Sequence, residues 1–514
     1  MSQSSTPSLY AAREPIFPRR VSGKFRTLKW VIMAVTLGIY YLTPWIRWDR
    51  GPELPDQAVL VDMAGRRFFF FWIEIWPHEF YFVAGLLIMA GLGLFLFTSA
   101  LGRVWCGYAC PQTVWTDLFI LTERWVEGDR NARVRLWNAP WSWHKARLRA
   151  TKWAIWLGIG LATGGAWVFY FADAPTLLRE IVTGQAHPVA YMTVATLTAT
   201  TFLFGGFFRE QICIYACPWP RIQSAMMDEE TITIGYRDWR GEPRGKAGRK
   251  ATGARTGQPP AFRAQEAKAA NAVAFAGVDG PAGPLAVEGG TVVLKTVGDC
   301  VDCMACVNVC PMGIDIRNGQ QMECITCGLC IDACDEVMAK LDRPRGLIDY
   351  FTLEDERKER AGGQAKAVWK HVLRPRTLLY TSLWSAIGVA LVVALFIRPE
   401  IEVDASPVRN PLFVTLSDGT IRNAYDLRIR NKHGEERRFA LSYSADAPFV
   451  LSVEGAPDGV IAVPADHTGE ARVYVEARSG APAAHEERSD LRLWITDLAN
   501  ADRASVDTLF NGAP

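Results

Sequence analysis

Five apolar runs punctuate an otherwise mixed chain, at about Trp30–Trp48, Phe80–Ala100, Trp153–Phe171, Val189–Phe208 and Leu378–Ile397. Each is long enough, or nearly so, to cross about 30 Å of hydrocarbon as a helix. One such run reads equally as a buried helix of a soluble domain. Five, several with Trp or Tyr at their ends, read as membrane spans. After Pro399 the period shortens to two. "PLFVTLSDGTIRNAYDLRIRNKHGEERRFALSYS" alternates apolar and polar residues, with turn signals at Asp418-Gly419 and His433-Gly434. "GVIAVPA", "EARVYVEAR" and "DLRLWITDL" follow, each bounded by Gly, Pro or Asp. Short strands at that spacing predict a β-sandwich of about 110 residues. The expected fold class is multi-domain: a polytopic α-helical membrane protein of five spans, a cytoplasmic insert, and a C-terminal all-β sandwich.

Composition and charge sharpen this division. The chain has 514 residues, too many for one core, and 49% are apolar, yet 21% are charged. A net charge of +2 implies no nucleic acid or acidic polymer as partner. The first twenty residues lack an apolar stretch beside a small-residue cleavage site, so no cleavable signal peptide is expected. Cations flank the spans unevenly. Arg13, Arg19, Arg20, Lys24, Arg26 and Lys29 precede the first, and the segment between the second and third carries nine, from Arg103 to Lys152. The loop between the third and fourth carries only Arg179, while Lys366, Lys370, Arg374 and Arg376 precede the fifth. Arg50, Arg66 and Arg67 dissent mildly. The charge rule then places the N-terminus and all twelve cysteines in the cytoplasm or at its membrane boundary, with the sandwich facing outward.

The expected organisation is a tail over 1–29, a four-span region over 30–208, and a membrane-proximal segment over 209–240. A flexible Gly/Ala/Pro-rich linker over 241–290 leads to a cysteine-rich domain over 291–345. A connector over 346–377, a fifth span over 378–398 and the sandwich over 399–514 complete it. His433, His467 and His485 are too scattered to suggest a metal site.

The twelve cysteines fall in four groups. "CVDCMACVNVCP" and "CITCGLCIDACD" each follow C-x2-C-x2-C-x3-C. Three closely spaced thiolates suit three irons of a cubane, and the fourth reaches the other cluster. By that rule Cys300, Cys303, Cys306 and Cys334 hold one [4Fe–4S] cluster, and Cys324, Cys327, Cys330 and Cys310 a second. Tetrahedral zinc is the alternative for any single Cys-x2-Cys, but two complete runs disfavour it. Ala305, Gly328 and Ala333 leave room for backbone beside the sulfurs. Asp335 stands where Pro311 follows the first run.

The other four cysteines are Cys106/Cys110 in "RVWCGYACPQTVW" and Cys213/Cys217 in "EQICIYACPWPR", each pair directly after an apolar run. Residues i and i+4 share a helix face, so each pair can point at one atom, and the shared "YACP" suggests two halves of an internal repeat. Small cysteines packed among helices are the plain alternative. Converging thiolates suit copper as Cu(I), a third iron–sulfur cluster, or a dithiol–disulfide couple, and spacing leaves the three open. Met226, Met227 and Met338 could assist as soft ligands, although packing explains each.

Together, "WCGYACPQTVWTD", the second "ACP", "GDCVDCMACVNVCPMGIDIRNG", "CITCGLCIDACDEVM" and "RPRGLIDY" resemble the FixG/CcoG family of cytochrome oxidase accessory proteins, over nearly the whole chain. The resemblance implies a bacterial inner-membrane protein with a periplasmic, Ig-like C-terminal domain, and a role in assembling a cbb-type haem–copper oxidase by reducing Cu(II) to Cu(I). Cys106, Cys110, Cys213 and Cys217 would then receive the metal. Oxidase assembly factors or copper carriers are the implied partners; the cytoplasmic electron donor is not legible, and a homodimer is left open. Two other readings compete: an electron-transfer subunit serving a quinone or membrane partner without copper, and a non-redox assembly scaffold.

Overall fold

Every expected apolar run folds as a helix. The computed structural model describes residues 15–51, 54–245, 285–288, 291–294, 298–399, 401–465 and 467–513. Helix α1 (Lys24–Leu42) ends in a 3-10 turn at Thr43–Trp45, where Pro44 cannot continue the ladder. Then come α2 (Tyr81–Leu101), α3 (Val104–Tyr108), α4 (Pro111–Glu127), α5 (Arg130–Asn138), α6 (Trp143–Val168), α7 (Ala174–Thr183) and α8 (Pro188–Leu203). Two single-turn π-helices, Phe204–Phe208 and Ile212–Ala216, lead to α9 (Trp219–Met226).

Among the described residues, four segments are long and apolar enough to cross a membrane: Lys24–Trp45, Tyr81–Leu101, Pro188–Phe208 and Pro375–Ile397. At 1.5 Å per residue, a 21-residue segment extends about 32 Å. The expected third span differs. Its helix, α6, has 26 residues, but Lys145, Arg147, Arg149 and Lys152 occupy its first turns and glycines dilute the rest. Among the described residues, four helices, not five, therefore meet the requirement of length and apolarity. The glycines have a packing role. A Cβ on Gly160 would stand 3.0 Å from Thr198 O, and one on Gly164 2.8 Å from Val194 O, so α6 and α8 approach backbone to backbone.

The chain divides into two compact units, residues 1–46 with 57–389, and 47–56 with 390–514. In the second, one sheet runs Val450–Val453, Thr468–Ala477, Ile421–Asn431, Ile401–Pro407, with Val414–Thr415 also paired to Ile421–Asn431. The other runs Val460–Val463, Arg437–Ser444, Ser489–Asp497, Arg503–Phe510, all antiparallel. Alternate residues Tyr425, Leu427 and Ile429 meet Phe439, Val473, Val475, Leu493 and Phe510 in a dry core, as the period of two requires.

In the first unit, the cysteine-rich module reaches beyond 291–345. Strand Thr233–Tyr236, from the segment following Cys217, pairs antiparallel with Ile348–Phe351. Most of the expected linker lies outside the described residues, but Leu285–Glu288 and Thr291–Leu294 form a hairpin. Its flanks are pinned together: Gly298 N donates to Pro243 O at 2.8 Å, and Gly245 N to Cys300 O at 3.2 Å. Periodicity does not reveal such pairing, because four-residue strands carry too little pattern. Three short strands over 59–75 were likewise unsignalled.

Candidate metal centres

The two ferredoxin-like loops repeat each other in backbone as well as in sequence. Asp302 and Thr326 both have positive φ (52° and 54°), as do Met304 and Gly328 (57° and 73°). These left-handed residues curl each loop so that its cysteines face inward, and each is followed by a helix, Ala305–Val309 and Leu329–Lys340. One cavity is lined by Cys300, Cys303, Cys306 and Cys334, with Tyr236, Arg317 and Met338. The second is lined by Cys310, Cys324, Cys327 and Cys330, with Cys306 at its edge and Ile234, Met312 and Ile316 around it. Each loop thus lends its fourth cysteine to the other cavity, because the helix carrying it crosses over.

None of the twelve cysteines is in a disulfide. Burial pushes Cys310 and Cys334 up to about 12, and Cys306 and Cys324 to about 11. Such thiols ionise only against a cation, so loading a metal centre releases protons. Among the described residues, no three cysteine sulfurs lie within 4.8 Å of one another. Tetrahedral zinc, with Zn–S bonds of about 2.3 Å, would need sulfurs about 3.8 Å apart. A cubane takes each sulfur on a different iron, so wider spacing and a cavity between the cysteines suit it.

The remaining cysteines come together from two matching helix breaks. Gly102 and Arg209, each four residues before the first cysteine of its pair, both take positive φ (60° and 35°) and end the preceding apolar helix. Cys110 N and Cys217 N then donate to the carbonyls five residues back, of Trp105 and Ile212, at 2.9 and 2.8 Å. Pro111 and Pro218 follow, leading into α4 and α9. The halves touch: Cys106 Sγ donates to Gln223 Oε1 of α9 at 3.1 Å, and Gln223 Nε2 donates to Thr98 at 3.3 Å. Burial raises the Cys106 thiol and pushes Cys213 up to about 12, and the other three cysteines of the group add to the rise at Cys213. Arg103 opposes the rise at both. The four thiols therefore share one neighbourhood.

That neighbourhood is pressed against the second cavity. A Cβ on Gly107 would lie 2.5 Å from Ile325 O and 3.0 Å from Cys327 Cα. Tyr108 Oη donates to Cys327 O at 2.9 Å, and Arg103 N to Thr326 Oγ1 at 3.1 Å. The first helix is fastened to the same module. Asp332 accepts from Arg26 N at 2.7 Å and Phe25 N at 3.3 Å, capping α1 from across the chain. Met338 lines the first cavity, not the four-thiol group, so it cannot serve there as a soft ligand. Met227 packs near Gly102.

Several buried polar residues escaped the sequence reading. Glu123 of α4 pairs with Arg133, Lys152 and Arg209. Burial works to raise its pKa, and Arg209, Arg133 and Lys152 overcome this, holding it at about 2. Arg209, with its unusual φ, is thereby fixed by its own side chain. The signal available was a charged residue directly behind each apolar run, at Arg103 and Arg209.

Three family matches fit this architecture: the 4Fe-4S dicluster domain over 208–274 and 288–353, the 4Fe-4S binding domain over 82–130, and the IG-like fold at the C-terminus of FixG over 391–513. The chain is 64% identical to Protein RdxB of Cereibacter sphaeroides, over 99% of this chain and 98% of that one. It is 59% identical to Protein RdxA of the same organism, over 98% and 99%. It is 50% identical to Nitrogen fixation protein FixG of Rhizobium meliloti, over 98% and 94%. With two cysteine-lined cavities, apolar helices and an Ig-like C-terminal domain, the chain belongs to the FixG-like family of membrane-associated iron–sulfur proteins.

Proposed function

We propose that the chain is a membrane iron–sulfur oxidoreductase that reduces Cu(II) to Cu(I) during assembly of a cbb-type haem–copper oxidase. The observation that carries it is the seating of the Cys327 loop on Gly107, between Cys106 and Cys110. Cys300, Cys303, Cys306 and Cys334 would hold one [4Fe–4S] cluster, and Cys324, Cys327, Cys330 and Cys310 the other. When bound, such clusters supply one-electron storage. Cys303, exposed, would meet a cytoplasmic donor, and Gly107 and Tyr108 hold the Cys327 loop against the four-thiol group. Each electron delivered converts one Cu(II) to Cu(I), which Cys106, Cys110, Cys213 and Cys217 retain because thiolates prefer the reduced ion. The topology that suits this has five crossings of the inner membrane, α6 included, with the cysteines cytoplasmic and the sandwich periplasmic. Copper carriers or oxidase assembly factors would take the product.

A second reading has its own support: the match to a 4Fe-4S binding domain covers Cys106 and Cys110, and the four sulfurs are not gathered for one ion. The group would then hold a third cluster and the chain would be an electron wire. Iron and copper per chain, on anaerobically purified protein loaded with copper and desalted, separate the two. About eight irons with copper retained support the reductase; about twelve without copper support the wire. Cys303→Ser should lose one cluster's absorption and abolish cuprous production, and unchanged production would sink both.

A further inference from the structure

Apart from the cysteines, one group of ligating side chains converges among the described residues of the first unit. Glu230, Glu354 and His371 each bring a ligand atom within 4.8 Å of the other two. They come from the loop after α9, from helix Leu353–Arg360, and from Val368–Val372, the turn of helix before the last apolar one. Backbone fixes the first two together, since Glu354 N donates to Glu229 O at 3.1 Å. His371 is 2% exposed, and its Nδ1 has no hydrogen-bond partner. Its Nε2 lies 2.6 Å from Asp355 Oδ2, and Asp355 Oδ1 accepts from Lys366 N at 2.9 Å. A carboxylate behind one ring nitrogen, with the other nitrogen free, is the arrangement that orients a histidine toward a metal.

The charges around it are mixed. Lys366 Nζ lies 3.3 Å from Glu230 and 2.7 Å from Glu354; Lys358 lies 2.7 Å from Glu354, and Arg374 3.6 Å from Glu230. The two carboxylates thus already attract an ammonium group, on a long side chain that is one-third exposed. A buried ring nitrogen without a partner is what the lysine leaves unsatisfied.

We propose that Glu230, Glu354 and His371 bind a divalent transition-metal ion, displacing Lys366, and that its occupant is Cu(II). The choice of copper rests on the proposed reaction; the donor set itself, one imidazole and two carboxylates, suits the oxidised ion and not Cu(I). The segment from Gln223 to Thr231 links this site to the thiols. Gln223 accepts from Cys106, and Thr231 Oγ1 donates to Ser99 O, at the end of the helix that leads to Cys106. Oxidised copper would load on oxygen and nitrogen, and leave for sulfur once reduced.

The test uses the full chain in detergent with Cys106, Cys110, Cys213 and Cys217 all changed to Ser, so that added Cu(II) stays oxidised. The expected result is one Cu(II) per chain after desalting, with electron paramagnetic resonance showing coupling to one nitrogen. Glu230→Gln with Glu354→Gln should weaken retention at least tenfold with cluster absorption unchanged, and Lys366→Met should strengthen it. Retention indifferent to these changes, or absent, overturns the site. If the four-serine chain loses its clusters, the same carboxamide pair in the wild-type background should raise the KM for Cu(II) with kcat kept, and an unchanged KM overturns the site. A four-serine chain without this signal, beside a wild-type chain that reduces copper, leaves the reaction standing and removes the site; a four-serine chain with the signal, beside a wild-type chain that does not reduce copper, does the reverse.

Discussion

Replacing Gly107 by Ala tests the contact on which the proposed electron route depends. The added methyl would lie 2.5 Å from Ile325 O, 3.0 Å from Cys327 Cα and 3.1 Å from Cys327 N. All three are backbone atoms of the metal-binding loop, so no side chain can turn aside. Restoring ordinary contact at 3.4 Å means opening the interface by 0.9 Å, the difference between 3.4 and 2.5 Å. Overpacking of this kind costs about 1–3 kcal/mol. Spent against docking, that lowers the seated population by roughly 5–150-fold. The loop's own cysteines are untouched, so iron content and visible absorption should stay at wild-type values while anaerobic cuprous production falls. Gly165→Ala is the matched control, because a methyl there meets nothing within 4 Å. Wild-type cuprous production by Gly107→Ala, with full iron content, would refute the idea that this contact carries the electron.

Glu123 offers a pH test. Its carboxyl is held at about 2 against an ordinary 4.5, so its contribution is fully present above pH 4.5 and is lost as pH falls toward 2. That contribution is roughly 3 kcal/mol. Glu123→Gln should lower the unfolding midpoint at pH 7 and flatten the acid limb of the stability profile; an unchanged acid limb would show that the pairing is not the source. Asp332→Ala removes the acceptor from Arg26 N and Phe25 N, and should cost about 1–2 kcal/mol. Faster amide hydrogen exchange confined to the first turn of α1 would check it, and no change there would mean that the cap is idle.

The chain's own order was enough to place its five apolar helices, because a run of twenty apolar residues has few other solutions in contact with lipid. It was also enough for the sandwich, since a period of two over long strands such as Ile421–Asn431 buries only one face. The cysteine spacing also leads one to expect that Cys310 and Cys334 each line the cavity of the other loop, as they do. Glycine content, by contrast, made α6 less apolar than a span of its length suggests, and only its packing against α8 explains why.

What required the folded structure is everything that joins distant segments. The pairing of Thr233–Tyr236 with Ile348–Phe351, the cap of α1 by Asp332, and the seating of Cys327 on Gly107 span separations of 100 to more than 300 residues. None leaves a periodic trace, because each is a single capping side chain, a short strand or the absence of a side chain. The sequence determined which atoms could hold metal. Only the tertiary structure decided which of those atoms are neighbours, because contact between distant segments is settled by packing and not by local pattern.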